Sequence, residues 1–336
     1  MRFFFPDSHD LVDPTFDFIT EQRSETRVRH RDDLYAHEVF EKPPFDGVLV
    51  SKAIVDGIGG GTGKYTIAQR HRLMRLGVRE FFRLDARPET KKLVTMGDCG
   101  AFSYVREAEP PYAVDDVIDF YSDCGFDYGV SVDHVILAYK PGYDHTLPGV
   151  DGVPPEFRTR QALTLNLAEE FFRRHRERDC RFVPVGVAQG WSPPSYAFAV
   201  QRLQEIGFQM IALGGMVPLK NKDILECLEE IANVLKPGTD LHIFGVTGSR
   251  ELAEFSKFGI TSFDSTSPLR RAFKDERNNY YAANRTYSAI RVPQVDGNAK
   301  LMSAIRAGKV RQEEARRLED ACMNSLVKYD QGEEIL

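Results

Sequence analysis

Short runs of β-branched and aromatic residues alternate with longer segments of helical periodicity along most of the 336-residue chain, and this alternation constrains the fold more than any other feature. It is the mark of βαβ units stacked into a parallel sheet. Eight runs stand out: Phe45 to Val55, Glu80 to Leu84, Leu93 to Met96, Tyr128 to Val132, Arg181 to Val187, Gln209 to Leu213, Asp240 to Val246 and Gly259 to Phe263. Between them the periodicity predicts helices over Thr66 to Leu76, Val114 to Cys124, Arg158 to Arg178, Tyr196 to Ile206, Lys222 to Leu235 and Ser249 to Lys257. Eight strands each followed by a helix is the number that closes an α/β (β/α)8 TIM barrel, whose active sites gather at the C-terminal strand ends. An open doubly wound sheet is the alternative. The barrel is favoured because Asp98, Asp133, Gln189, the Gly214-Gly215 pair, Gly245 and Asp264 each end a different run. One ring of strand ends would gather all of them, although Asp and Gly also end strands simply as turn formers.

The first 44 residues, rich in charge and aromatics, read as an N-terminal arm or cap (1–44) before the barrel (45–275), and residues 276–336 as a C-terminal helical extension. That extension carries an expected amphipathic helix from Asn298 to about Lys328. The whole chain is acidic, with 44 basic and 50 acidic side chains (44 − 50 = −6), so a nucleic-acid surface must be local. Between Ser249 and Lys328 the balance reverses to 15 Lys or Arg against 10 Asp or Glu, which makes this the expected phosphate-contacting region, with a solvated helix face as the plainer reading. The five cysteines are widely spaced and form no C-x-x-C pair, as expected of free thiols in a reducing compartment. No run of 18 apolar residues occurs, and the opening Met1-Arg2-Phe3-Phe4-Phe5-Pro6 lacks a signal peptide's apolar region, so a cytoplasmic protein without a membrane partner is expected.

The stretch from Gly57 to Thr66 looks like a phosphate-binding loop between a strand and a helix, but the motif's first Gly and its Ser or Thr after Lys are replaced by Ile58 and Tyr65. A nucleotide triphosphatase is therefore rejected, leaving a Gly loop that holds a backbone phosphate or moves as a lid. Two carboxylates carry more chemistry. Asp98, in Met96 to Phe102, and Asp264, in Ile260 to Arg270, would face one another across a barrel mouth and could divide labour as acid or base and as nucleophile at an anomeric carbon. Asp133 is then spare for recognition. Guanine's Watson-Crick edge offers two donors that one carboxylate can accept together, and its O6 accepts from an amide such as Gln189 or from the backbone at Gly214 and Gly215. Each of these side chains also has a bland reading: Asp133 as a helix cap, Phe102 as core and His134 as a packed histidine.

At these residues the chain resembles the tRNA-guanine transglycosylases. Gly97-Asp98-Cys99-Gly100-Ala101-Phe102 resembles that family's (S/T)-D-S-G-G-(F/Y), Gly186 to Gly190 its G-x-x-Q-G, and Ala212 to Gly215 its aliphatic-G-G; Gly259 to Arg270 resembles the block that carries the nucleophilic Asp, with Asp264, Pro268 and Arg270 in register. Two departures stand out. The family's zinc motif, C-x-C-x2-C with a later His, is missing, since Cys322 is the only cysteine after Asp264 and no His follows it. Leu219-Lys220 also replaces a Gly-Glu that suits a cationic 7-substituent, which suggests a neutral one such as the nitrile of preQ0. With the opening Phe3 to Ser8 and the segment Tyr287 to Gln294, these departures make the chain most similar to the DNA-modifying branch of that superfamily, known from bacteria and phages.

That resemblance implies a pentosyltransferase that flips a guanosine out of DNA, stacks the base on Phe102 with Phe244 on its other face, and reads it with Asp133, Gln189, Gly214 and Gly215. Asp264 is implied as the nucleophile on C1′ and Asp98 as the general base for the incoming free 7-deazaguanine. Arg270 and Arg271 are implied as backbone-phosphate contacts. No cofactor and no metal are implied, while helper proteins that open the duplex would be natural partners. The same chemistry on tRNA and a non-catalytic partner subunit are the alternatives, the latter disfavoured because Asp264 is present.

Overall fold

A computed structural model describes residues 1–7, 11–17, 20, 22–58, 63–145, 152–246, 249–268, 280–281, 285–287, 292, 295 and 298–333. The chain divides into two compact units, residues 1–268 and 269–336. The first is a closed barrel of eight parallel strands in sequence order: β1 (Arg2–Pro6), β2 (Gly47–Ser51), β3 (Val94–Asp98), β4 (Tyr128–Val130), β5 (Val183–Ala188), β6 (Met210–Leu213), β7 (Asp240–Ile243) and β8 (Ile260–Asp264). Helices α1 (Ala36–Val39), α2 (Lys52–Asp56), α3 (Ile67–Phe81), α4 (Val114–Cys124), α5 (Pro155–Glu177), α6 (Pro193–Ile206), α7 (Asn221–Ala232) and α8 (Ser249–Phe255) lie between the strands. This is the expected (β/α)8 barrel.

The alternation of side chains along each strand builds two apolar layers. On β2, Val48 and Val50 pack against the helices, while Leu49 points into the barrel with Phe4, Met96, Val130, Val185, Val187, Met210 and Ala212. On β6 the same rule sends Ile211 and Leu213 outward and Met210 and Ala212 inward. Such strands, buried on both faces, read as near-continuous apolar runs.

The count of eight is right, but two of the expected assignments exchange places. Arg2–Pro6, inside the stretch expected to be an arm, is the first strand, pairing with β2 (Phe4 opposite Gly47) and with β8 (Phe4 opposite Asp264). Glu80 to Leu84 is not a strand. It is the end of α3, where Leu84 N–H closes onto Arg79 C=O at 2.8 Å. Arg83 turns to a left-handed φ of 56° there. Its guanidinium then bonds the Asp33 carbonyl at 2.9 Å and the Glu38 carboxylate at 3.0 Å. Phe81 and Phe82 are apolar because they fill the helix-strand layer.

In the second unit the described residues include a two-stranded antiparallel pair, β9 (Tyr280–Tyr281) and β10 (Thr286–Tyr287), and two helices, α9 (Ala299–Arg306) and α10 (Gln312–Asp330). The single helix expected from Asn298 to about Lys328 is thus two. Asn298 caps α9 by accepting from the amides of Lys300 and Leu301, and Gly308, at φ 70°, ends the turn that separates it from α10. Among the described residues no helix is long and apolar enough to cross a membrane.

Phe4 is 1% exposed and fills the barrel interior. Phe4→Ala should therefore cost about 3 to 5 kcal/mol of stability, read by denaturant unfolding. A change under about 1 kcal/mol would show that this segment packs no barrel core.

Candidate active site

Asp98 is the last residue of β3 and Asp264 the last of β8, and Asp133 follows β4 by one short segment, so all three carboxylates stand at the C-terminal end of the barrel. They lie close enough to repel. Burial first, then the negative charges of Asp133 and Asp264, push the Asp98 carboxyl up to about 8, although the Gly100 and Cys99 amides act in the other direction. Burial pushes Asp133 up to about 6, with hydrogen bonds from Cys99 and Gln189 opposing the rise.

Asp133 is held by two side-chain donors as well as by its own backbone N–H. The Cys99 thiol meets Oδ1 at 3.2 Å and the Gln189 amide donates to Oδ2 at 2.7 Å. A carboxylate has about four lone-pair sites and can share them among several donors, so a ligand's donors can still be accepted. Gln189 is fixed from its other end by the Ile136 N–H, which donates to Oε1 at 3.2 Å, leaving one Nε2–H free. Only glycine fits beneath this amide: a Cβ on Gly214 would stand 2.1 Å from Gln189 Nε2. At Gly215 the backbone takes φ +71° and passes so near the Ile136 carbonyl that a Cβ would lie 2.6 Å from its oxygen. The whole cluster is buried. Behind it, the Tyr104 hydroxyl lies 3.0 Å from Cys99 Sγ and 3.1 Å from the Asp133 carbonyl oxygen, with one hydrogen to give between them, and burial pushes the Cys99 thiol well up, so it acts as a neutral donor.

Asp264 sits in a different cradle. The Gly245 N–H, in the turn after β7, donates to Oδ1 at 3.0 Å, and His242 Nε2 lies 3.3 Å from the same oxygen. His242 is fully buried, and its Nδ1 is 2.9 Å from Ser262 Oγ. Phe244 packs edge-on against the His242 ring at 4.8 Å between centroids.

The structure thus gathers Asp98, Asp133, Gln189, Gly214, Gly215, Gly245 and Asp264 at strand ends, as the sequence predicts, with Phe244 beside the Asp264 cradle. Phe102 lies on the 3-10 turn Ala101–Tyr104 that follows Asp98 and is 55% exposed, an aromatic face open to solvent rather than a core residue. His134 is packed, its Nε2 on the Glu107 carbonyl at 2.9 Å. Arg270 and Arg271 lie outside the described residues, as do residues 59–62 of the Gly loop. Sequence reasoning missed His242, Ser262 and the Cys99-Tyr104 support. For His242 a signal existed: it stands between Leu241 and Ile243 in a strand buried on both faces, so its side chain must face the barrel interior. The residues do not fit a zinc ion of the three-cysteine type. Cys322 is alone and exposed on α10, and among the described residues no three His, Cys, Asp or Glu side chains converge as ligands.

A family model for queuine tRNA-ribosyltransferase matches residues 144–301. A DNA-guanine transglycosylase of Salmonella montevideo is 49% identical over 332 residues, which is 98% of this chain and 77% of that relative. With the barrel and its three carboxylates, these likenesses identify a pentosyltransferase. The chain belongs to the guanine transglycosylase superfamily, in the family of the DNA-guanine transglycosylases.

Proposed function

We propose that this chain exchanges guanine in DNA for a free 7-deazaguanine base through a covalent bond between Asp264 and C1′ of the target nucleotide. The observation that carries the reading is three carboxylates at one barrel mouth in three electrostatic states: Asp98 pushed up to about 8, Asp133 to about 6, and Asp264 with one oxygen held by a backbone N–H. DNA as the substrate rests on the likeness to the Salmonella enzyme's named activity.

The glycosidic bond of a stacked guanosine is out of reach, so the nucleotide must leave the helix first. Phe102 offers the flipped base an exposed face, with Phe244 on the other side. Asp133 accepts from N1–H and the 2-amino group, and the second Nε2–H of Gln189 and the Gly215 N–H donate to O6. At neutral pH Asp98 carries its proton, so it acts first as an acid. As Asp264 Oδ2 forms its bond to C1′, the bond to guanine breaks and the Asp98 proton goes to the departing base. Asp98, now a carboxylate, takes the proton from the glycosidic nitrogen of the incoming deazaguanine. That nitrogen attacks C1′, the ester bond breaks, and Asp264 is a free carboxylate again. Atoms and charge balance over the cycle with no further reactant. Leu219 and Lys220, beyond the Gly-Gly turn, bring no acid to that stretch, which supports a neutral 7-substituent such as the preQ0 nitrile. Arg270 and Arg271 are the proposed phosphate contacts, helper proteins that open the duplex fit the need for an unstacked base, and the cytosol is the proposed setting.

Guanine release from labelled DNA and, separately, from tRNA, with free preQ0 present, tests the reading. Release is expected from DNA, and Asp264→Ala should reduce it at least a thousand-fold, roughly the loss of a nucleophile, and abolish the trapped adduct. Release from tRNA alone moves the substrate to RNA, and release from neither, even with a duplex-opening helper, overturns the exchange. The pH profile is a second check. Below about 6 Asp133 takes up a proton and accepts fewer donors, and above about 8 Asp98 loses the proton it must give, so single-turnover release should peak between them. Asp98→Asn should remove the alkaline limb along with most of the rate.

A further inference from the structure

We propose that His242, set by Ser262, is a positioning residue that aims the nucleophilic carboxylate of Asp264; this rests on the reading of Asp264 as the nucleophile. His242 lies on β7 with Ser262 directly opposite it on β8, and the pairing shifts register just before it. Its ring is fully buried, with Phe4 and Phe244 edge-on at 5.8 and 4.8 Å. A polar ring in such surroundings costs stability unless its nitrogens are bonded. Both are: Nδ1 to Ser262 Oγ at 2.9 Å and Nε2 to Asp264 Oδ1 at 3.3 Å.

The chain of partners fixes the direction of these bonds. An ionised Asp264 oxygen only accepts, so the hydrogen facing it must be on Nε2. In the neutral ring Nδ1 is then an acceptor, and the Ser262 hydroxyl is the donor that suits it. In the doubly protonated ring Nε2–H still points at Oδ1. Either way Oδ1 receives two hydrogens, one from His242 and one from the Gly245 N–H at 3.0 Å. Two donors on one oxygen restrain the rotation of the carboxyl group and leave Oδ2 unbonded by this pair. A nucleophile held in this way reaches C1′ without first losing side-chain freedom, and a misplacement of about 1 Å is worth on the order of a hundred-fold in rate. His242 touches neither substrate nor the reacting atoms. Its effect passes through Asp264.

The test compares single-turnover adduct formation on guanine-containing DNA by the whole chain and by His242→Phe, His242→Gln, Ser262→Ala and Asp264→Ala. His242→Phe keeps the ring's bulk and removes the donor; it should slow adduct formation about a hundred-fold while KM for DNA moves less than about three-fold, because only the aim of Oδ2 is lost. His242→Gln, whose amide can offer an N–H at the place of Nε2, should recover about ten-fold of that loss. Ser262→Ala, with a ring free to swap its hydrogen to Nδ1, should lose about three- to ten-fold. Thermal unfolding of each variant separates aim from packing. Parental rates in a folded His242→Phe protein, or a His242→Gln protein no faster than His242→Phe at equal melting temperature, overturn the proposal. If Asp264→Ala still forms the adduct, the nucleophile reading itself fails; if it does not, while the His242 variants react normally, only the positioning role fails. Should His242→Phe not fold, the ratio of the His242→Gln and Ser262→Ala rates to the parental rate decides, with no loss in either counting against the role.

Discussion

The parallel pairing of Arg2, Phe3 and Phe4 with Ser262, Phe263 and Asp264 is the joint on which the site depends. An open parallel sheet leaves an unpaired edge on each side, and here the first strand joins the last. The joint runs through the residues that matter for chemistry: Phe4 lies in register with Asp264, and its ring reaches the His242 ring from inside the barrel. Phe3, on the other face of β1, stacks on Phe263 at 5.0 Å. The strand that carries Asp264, the proposed nucleophile, is thus clamped on one side by β7 and on the other by the chain's opening segment. Barrel closure and the placing of Asp264 use the same hydrogen-bond ladder.

Within that frame the barrel must hold three carboxylates where water is scarce. Their separate environments decide what each can do. Asp133 is wrapped by neutral donors, the Cys99 thiol and the Gln189 amide, which stabilise its charge without cancelling it. Asp264 is given one backbone and one imidazole partner on a single oxygen. Asp98 has no charged partner of opposite sign among the causes that shift it, only burial and two like charges against two backbone amides, so it holds its proton into the neutral range. The division of roles follows from surroundings, since the three side chains are chemically the same.

Much of this was legible in the sequence because strands buried on both faces announce themselves as apolar runs, and because an Asp at the end of such a run is out of keeping with its neighbours. Seven of the eight barrel strands were found in this way. The first was not, because Phe3-Phe4-Phe5-Pro6 has no preceding helix to set the alternation and its proline discourages a strand reading; Pro6 is tolerated where the strand ends. Glu80 to Leu84 misled for the opposite reason, since Phe81 and Phe82 at a helix end are as apolar as any strand. At the site, the residues that touch substrate by proposal were visible as strand-end polar groups. Those that stand behind them were not. A histidine flanked by Leu241 and Ile243 usually signifies packing, and only the pairing of β7 with β8, a long-range fact, brings it to Ser262 and Asp264. Cys99 and Tyr104 are likewise ordinary core residues until Asp133 arrives beside them from another strand.

In the proposed exchange, the repulsion between Asp98 and Asp133 would tie recognition to acidity. A guanine edge that donates two hydrogens to Asp133 spreads that carboxylate's charge into the ligand, and Asp98 then feels less of it. Its proton becomes easier to give at the moment the correct base is seated. A base unable to offer both donors leaves the Asp133 charge uncovered and Asp98 a weaker acid, so a mismatch is penalised twice, once in residence and again in the rate of bond breaking. In that reading, selectivity is set by electrostatic coupling between two neighbouring carboxyl groups.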